Sequence, residues 1–360
     1  MKCGERIVRC LTEGDIDRVP FGVGLGWHPW GEALERWRLE SGNPTLEPAT
    51  VFGYDSSFAI PRLENGPFPH YENKILSYDG ETVVSRDWRG ITMRNRKDGG
   101  SMPEFLDYPV KSPEDWERIK QERYILNKMD ERVTEDWTSF TDRISTTGEA
   151  VQVGVFPWGV FGTVRDMLGA EELLISFIAE PEMVKDIMRH LTSLWIGLWE
   201  RVAAKVQIDH IHIWEDMSGR QGSLISPAMI EEFMMPCYDR IADFAKAHNV
   251  RLVSVDTDGD CSELVPVMMK HGINMFFPFE VQAGCDIRDY RRKYPNLGIM
   301  GGLDKRALSG SIADVDIEIE KAEAMISKGR YVPMFDHLIP PDAKWENFKY
   351  AADKIKVLCK

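Results

Sequence analysis

Short runs rich in β-branched and aromatic residues recur along the chain. Each is followed by a polar or glycine-rich turn and then by apolar residues at helical spacing. The rhythm is most regular in the second half. Asp209–Trp214, Arg251–Val255, Asn274–Phe279, Leu297–Met300 and Tyr331–Phe335 read as strands. Pro227–His248, Ser262–Lys270, Ile287–Tyr294, Val315–Lys328 and the segment from Trp345 onward read as helices. Ser226 ahead of Pro227 supplies a cap, with proline at the first helical position. In the first half, Arg18–Gly26, Tyr54–Ile60 and Val151–Phe156 read as strands, and Met167–Phe177 and Pro181–Val206 as helices. Strands and helices alternating roughly every 30–45 residues predict βαβ units and a parallel sheet. About eight such units, with polar residues gathered just after the strands, predict an α/β fold: a single (β/α)8 TIM-type barrel.

One stretch breaks the pattern. Lys74–Arg96 carries two alternating runs around the turn dipeptide Asp79-Gly80, which predicts an antiparallel hairpin or meander inserted in the N-terminal half. Ser112–Ile144 reads as charged and helical, opening on Ser112-Pro113-Glu114-Asp115. No repeat, low-complexity tract or Gly/Ser linker divides the chain, so residues 1–360 are expected to form one barrel domain.

Composition narrows the function classes. With 43 % hydrophobic and 28 % charged residues in 360, wholesale disorder is excluded. The formal net charge of −14 opposes nucleic acid or an anionic membrane as the main partner. Cys3, Cys10, Cys237, Cys261, Cys285 and Cys359 are scattered without CxxC spacing, which reads as reduced thiols in a cytosol. The N-terminal MKCGERIVRCLTEGDIDR has no apolar core, so no signal peptide is expected. No uncharged apolar run approaches the roughly 18 residues of a membrane span. The expectation is a soluble cytoplasmic protein.

In a barrel of this kind reactive groups sit at the C-terminal ends of strands. Those positions hold Trp27, His28, Trp30, Arg62, Trp158, His212, Trp214, Glu215, Asp256, Asp258, Glu280, Asp304, Asp336 and His337. Asp256 and Asp258, two apart on a strand end, point to one side. Such a pair holds a divalent metal, or forces one carboxyl to keep its proton as a general acid. The plainer alternative is an Asx turn at Asp258-Gly259-Asp260. His337 precedes Pro340 and Pro341, which fix the chain direction around the imidazole. Trp27, Trp30, Trp158 and Trp214 offer an apolar wall for a flat ligand, or plain core packing. GxGxxG after a strand, GxxxxGK[ST], HExxH and GxSxG are all missing, so dinucleotide, ATP, zincin and serine-hydrolase readings lose their support.

Seven stretches give the chain a family resemblance: Glu5–Phe21, FGYDSSFAI, VFPWGVFG, IWEDMSGRQGSLISPAMIEEFMMPCY, PFEVQAGCDI, KYPNLGIMGGLDKRAL and FDHLIPPDAKWENFKY. The chain resembles the uroporphyrinogen decarboxylase superfamily, and its cobalamin-dependent methyltransferase branch more than the true decarboxylases. The resemblance implies a (β/α)8 barrel with its site at the C-terminal mouth. True decarboxylases bind substrate carboxylates through arginines after the first DRxP, where this chain has FGVGLGWHPW, and place an essential Asp where it has FAIPRL. Authentic uroporphyrinogen decarboxylation is therefore not expected.

In the methyltransferase branch, zinc is held by an HxCG segment and a distant Cys. Matching that Gly to Gly259 puts Asp256 at the His and Asp258 at the Cys, with His337 at or beside the distant Cys. The resemblance thus implies a harder divalent site, with zinc as the candidate ion, from Asp256, Asp258, His337 and Glu215. Asp256, His337 and Glu215 are the expected catalytic groups. Trp27, His28, Arg62, Trp158, Trp214 and Glu280 are the expected substrate contacts. The implied activity is methyl transfer between a small methylated compound and a cobamide carried by a partner corrinoid protein, the chain itself being a monomer or homodimer. The alternatives are decarboxylation of a small carboxylated substrate, and a barrel that binds a tetrapyrrole or corrinoid without catalysis.

Overall fold

The apolar runs do become parallel strands, because a strand covered on both faces is apolar along most of its length. The computed structural model describes residues 1–97 and 102–360. Its strands are β1 (Phe58–Ala59), β2 (Lys74–Asp79), β3 (Thr82–Arg86), β4 (Thr92–Arg96), β5 (Glu104–Asp107), β6 (Ala150–Val153), β7 (His210–Trp214), β8 (Ser218–Gly219), β9 (Gly222–Ser223), β10 (Leu252–Thr257), β11 (Met275–Pro278), β12 (Gly298–Met300) and β13 (Tyr331–Val332). Seven of them form one parallel sheet in the order β1-β6-β7-β10-β11-β12-β13. Helices follow the strands, as βαβ connections require. The helix Pro181–Ala203, for example, turns Val184, Ile187, Leu191, Leu194 and Leu198 inward, all fully buried. Among the described residues no helix is long and apolar enough to cross a membrane.

Register decides what reaches the mouth. Trp214 lies opposite Asp256, and Asp256 opposite Phe277. His212 pairs with Ser254 one step deeper. Alternate residues of a strand share a face, so His210, His212, Ser254 and Asp256 project together. The outcome is a polar column in the sheet: His210 Nε2 lies 2.7 Å from Ser254 Oγ, and Ser254 Oγ 3.4 Å from His212 Nδ1.

Three expectations change. Arg18–Gly26 is not a strand, since Gly22 and Gly24 take φ of 75° and 92°, which no extended segment allows. This irregular segment spans the gap between β13 and β1. Pro29 makes a single parallel bridge with Ile339, Trp27 Nε1 donates to the Pro333 carbonyl at 2.9 Å, and Asp55 N donates to the Phe21 carbonyl at 2.9 Å. Regular pairing therefore covers seven strands. Second, the insertion is a four-stranded antiparallel sheet, β2-β3-β4-β5, reaching Asp107. Third, the helix capped by Ser226, whose Oγ accepts from Met229 N, is interrupted by a π turn over Ile230–Met234. Pro236 has no N–H for the Glu232 carbonyl, and the wider turn accommodates that loss.

Candidate functional site

Five strand ends bring charged groups to the same side of the sheet. Asp216 follows β7, Asp258 follows β10, Glu280 follows β11, Lys305 follows β12, and Asp336 and His337 follow β13. Asp256 sits within β10, one register step inside. Its side chain is 14 % exposed, with Oδ2 3.9 Å from His212 Nε2. Burial, then the charges of Asp258 and Asp216, hold the Asp256 carboxyl well above the usual range. Burial also governs Asp258, and Asp216 and Glu280 outweigh Lys305, so that carboxyl is pushed up to about 7. Asp258 keeps 40 % of its side chain open to solvent, and its Oδ2 lies 3.9 Å from His337 Nε2. His337 is held below its ordinary value by burial and by Lys305, and His212 is pushed down to about 4 by burial. At neutral pH both imidazoles are therefore uncharged bases, while burial and close carboxylates favour the protonated forms of Asp256 and Asp258.

Two further acids have structural work. Asp336 is 1 % exposed and accepts from Val281 N at 2.9 Å and Lys305 N at 3.2 Å, tying three strand ends together. Glu280 Oε2 accepts from Gly259 N at 3.0 Å, and its Oε1 lies 3.9 Å from Lys305 Nζ. Gly259 can make this turn at φ +75°, with the Ser218 carbonyl 2.5 Å from where a Cβ would stand.

Of the expected residues, Asp256, Asp258, His337 and Glu280 come together at the mouth. Trp214 stands at its edge, 4.8 Å from the Phe156 ring, with the Arg165 guanidinium 5.1 Å over its face. Glu215 is not aimed into the mouth. Fully buried, it accepts from Val160 N, Phe161 N and Gly162 N at 3.0, 2.6 and 3.0 Å and from the Tyr238 hydroxyl at 2.5 Å. A carboxylate accepting four such bonds has no lone pair left for a metal or a substrate proton. Trp27 is likewise core, fully buried among Phe21, Tyr54, Phe335 and Phe348. Trp158 is 9 % exposed and packs on Trp88 and against Gly66. Arg62 lies 67 % exposed on the surface, paired with Glu135 at 3.4 Å. His28 is exposed beside the Tyr54 ring, its carbonyl engaged by Ile339 N. Asp216 and Lys305 were not singled out from sequence. Asp216 sits in the left-handed region at φ 42°, which no sequence cue announces, and Lys305 is hidden in a 3-10 turn after Gly301-Gly302.

The expected zinc set is without Glu215. With Glu215 spent on amides, Asp256 with His212 and Asp258 with His337 remain as two separate pairs. Among the described residues no group of three or more His, Cys, Asp or Glu is placed to share an ion.

Set beside known proteins, the chain matches one family model, "Uroporphyrinogen decarboxylase (URO-D)", over residues 81–357. No curated protein sequence matches it. Among solved structures, a methyltransferase from Methanosarcina mazei is similar at a TM-score of 0.62 and 13 % identity, over 99 % of this chain and 98 % of that one. At that identity the likeness speaks for the fold alone.

Proposed function

The chain belongs to the uroporphyrinogen decarboxylase family, and on that premise we propose that it is a methyltransferase, taking a methyl group from a small methylated compound to a corrinoid delivered by a partner protein. One observation carries this reading: at the open mouth Asp258 stands 3.9 Å from His337 and two residues from Asp256, an acid beside a base with the Asp258 carboxyl raised by burial and by its acidic neighbours. A methyl ether gives up its methyl group slowly, because the oxygen left behind is a poor leaving group until it is protonated, whereas a methylamine reaches the site already protonated. For an ether, Asp258 supplies that proton. As the carbon–heteroatom bond breaks, its electron pair stays on the heteroatom and the Asp258 proton joins it. His337, 3.9 Å from Asp258 and uncharged at neutral pH, then stands ready to pass a proton back from solvent. Asp216 and Glu280 act through Asp258: their charges make its ionised form costly.

A corrinoid, when bound, supplies the nucleophilic cobalt that accepts the methyl group. The mouth suits a co-substrate arriving from outside, since Asp258 and His337 are 40 and 39 % exposed. It does not suit a polyanion. Around Asp258 the charges of Asp216, Glu280 and Asp336 are set against the single cation Lys305.

The test is a panel of methyl ethers and methylamines incubated with the protein and reduced cobalamin. Growth of methylated cobalamin in step with loss of donor is expected. Release of CO2 from a carboxylated substrate without corrinoid would instead make it a small-acid decarboxylase. Tight corrinoid binding without turnover of any donor would leave only a binding barrel.

A further inference from the structure

Beside the mouth a second concavity of about 420 Å3 opens between the inserted sheet and the loop after β6. Four aromatic rings from separate parts of the chain stand in its walls, beside Met93, Met102 and two arginine–carboxylate pairs. Trp214 ends β7, Phe156 follows β6, and Phe105 and Tyr108 come from β5 and the turn after it. Phe156 meets Trp214 edge to face at 4.8 Å and 75°, while Phe105 and Tyr108 stack at 6.4 Å and 28°. Phe156 is nevertheless 62 % exposed and Phe105 43 %, so much apolar ring surface is left facing water beside a reacting centre.

The charges lining this cleft are all taken up in ion pairs. Arg165 holds Asp216 at 2.7 Å, and Arg89 is shared by Asp166 at 2.5 Å and Asp87 at 2.8 Å. Two guanidiniums thus serve three carboxylates, so among the described lining residues no cation is left to anchor an anion, and the carboxylates of the neighbouring mouth oppose one as well. Asp216 connects the two spaces. It lines the cleft, and it lies near enough to Asp256 and Asp258 for its charge to bear on both. The cleft and the mouth thus share the Asp216 side chain as a common wall. The volume is that of a small-ligand site, which ranges over about 300–1,000 Å3.

We propose that this aromatic cleft between the inserted sheet and the barrel mouth binds the body of the methyl donor, and that this body is a neutral, flat aromatic ring. This rests on the methyltransferase reading for the ligand's role, but the cleft's preference can be measured without any transfer. Ring faces presented edge-on and stacked favour another ring over a saturated one of equal size.

The experiment is isothermal titration of the full chain with four probes: methoxybenzene, cyclohexyl methyl ether, 4-methoxybenzoate and phenyltrimethylammonium. Methoxybenzene is expected to bind most tightly, with the saturated ether about fivefold weaker. Phe156→Leu and Phe105→Leu, both at partly exposed positions the fold can spare, should each weaken methoxybenzene about fivefold and leave the unfolding midpoint unchanged. Equal binding of the saturated ether, tighter binding of either ion, or no effect of both substitutions would overturn the proposal. Ring binding without methyl transfer would overturn the methyltransferase reading and leave the cleft standing. Methyl transfer from donors that methoxybenzene does not compete against would do the reverse.

Discussion

Glu215 separates a structural carboxylate from a chemical one. Its two oxygens take three backbone N–H groups and one phenol, all within a fully buried loop junction. Replacing it by alanine orphans four donors, each costing about 1–3 kcal/mol when buried. The sum, roughly 4–12 kcal/mol, is comparable to the whole stability of a typical domain, about 5–15 kcal/mol. Glu215→Ala is expected not to accumulate as folded protein. Glu215→Gln is the informative variant. One oxygen survives, but the new amide NH2 faces either the pair Val160 N and Tyr238 Oη or the pair Phe161 N and Gly162 N. Two donors are lost, and stability should fall by about 2–6 kcal/mol. Urea unfolding followed by far-UV circular dichroism reads this as a midpoint shift of about 1 M or more. Tyr238→Phe, which deletes one hydrogen bond and leaves the loop amides served, should cost only about 1 kcal/mol. A Glu215→Gln protein with an unchanged midpoint and no turnover would refute the clamp and return Glu215 to the chemistry.

Other consequences follow from the same geometry. Burial raises the carboxyls of Asp336 and Asp166 to about 6 each. The fold thus binds those protons more tightly than the unfolded chain, and their contribution is complete below about 4 and lost as pH rises through about 6. The urea midpoint should therefore be higher at pH 5 than at pH 7.5, and a steady rise over that interval would contradict the assignment. Dialysis against a chelator should leave turnover unchanged, because among the described residues no group of three or more His, Cys, Asp or Glu is placed to share an ion; activity lost and then restored by zinc would show the side chains regroup around an ion. Gly159→Ala places a Cβ 1.7 Å from the Trp214 carbonyl oxygen and 2.9 Å from Glu215 Oε2. Backbone cannot yield that far, so this small change should cost several kcal/mol, about as much as disrupting the clamp itself, in the same urea assay.

The sequence made the second half of the sheet readable because each strand there is an apolar run closed by glycine, proline or aspartate. It misled at Arg18–Gly26, whose valine and phenylalanine look like a strand while Gly22 and Gly24 turn the backbone the other way. The mouth was partly legible. Placement at strand ends was enough to find Asp256, Asp258, Glu280 and His337. It was not enough to tell a side chain aimed into the mouth from one aimed back at loop amides, which is why Glu215 read as a catalytic group. Tryptophans carried the same ambiguity: Trp214 lines a cleft, while Trp27 and Trp158 fill gaps between elements, and nothing local distinguishes the three. Lys305 sits among ordinary surface-like residues in LDKRAL, and only the closeness of β11 to β12 brings it to Glu280. The four-stranded extent of the insertion was missed because Glu104–Asp107 is too short to show an alternation.

The most direct test of methyl transfer assisted by Asp258 is a single-turnover measurement of methylated cobalamin formation at pH 6 and pH 8.5, with wild type and Asp258→Asn. A proton held to about 7 must be present for the heteroatom to leave, so wild type should be fast at pH 6 and at least about tenfold slower at pH 8.5. Asp258→Asn should be slow at both, with little dependence on pH. Wild-type rates that stay level or rise across that range, or an Asp258→Asn protein as fast as wild type, would contradict the account.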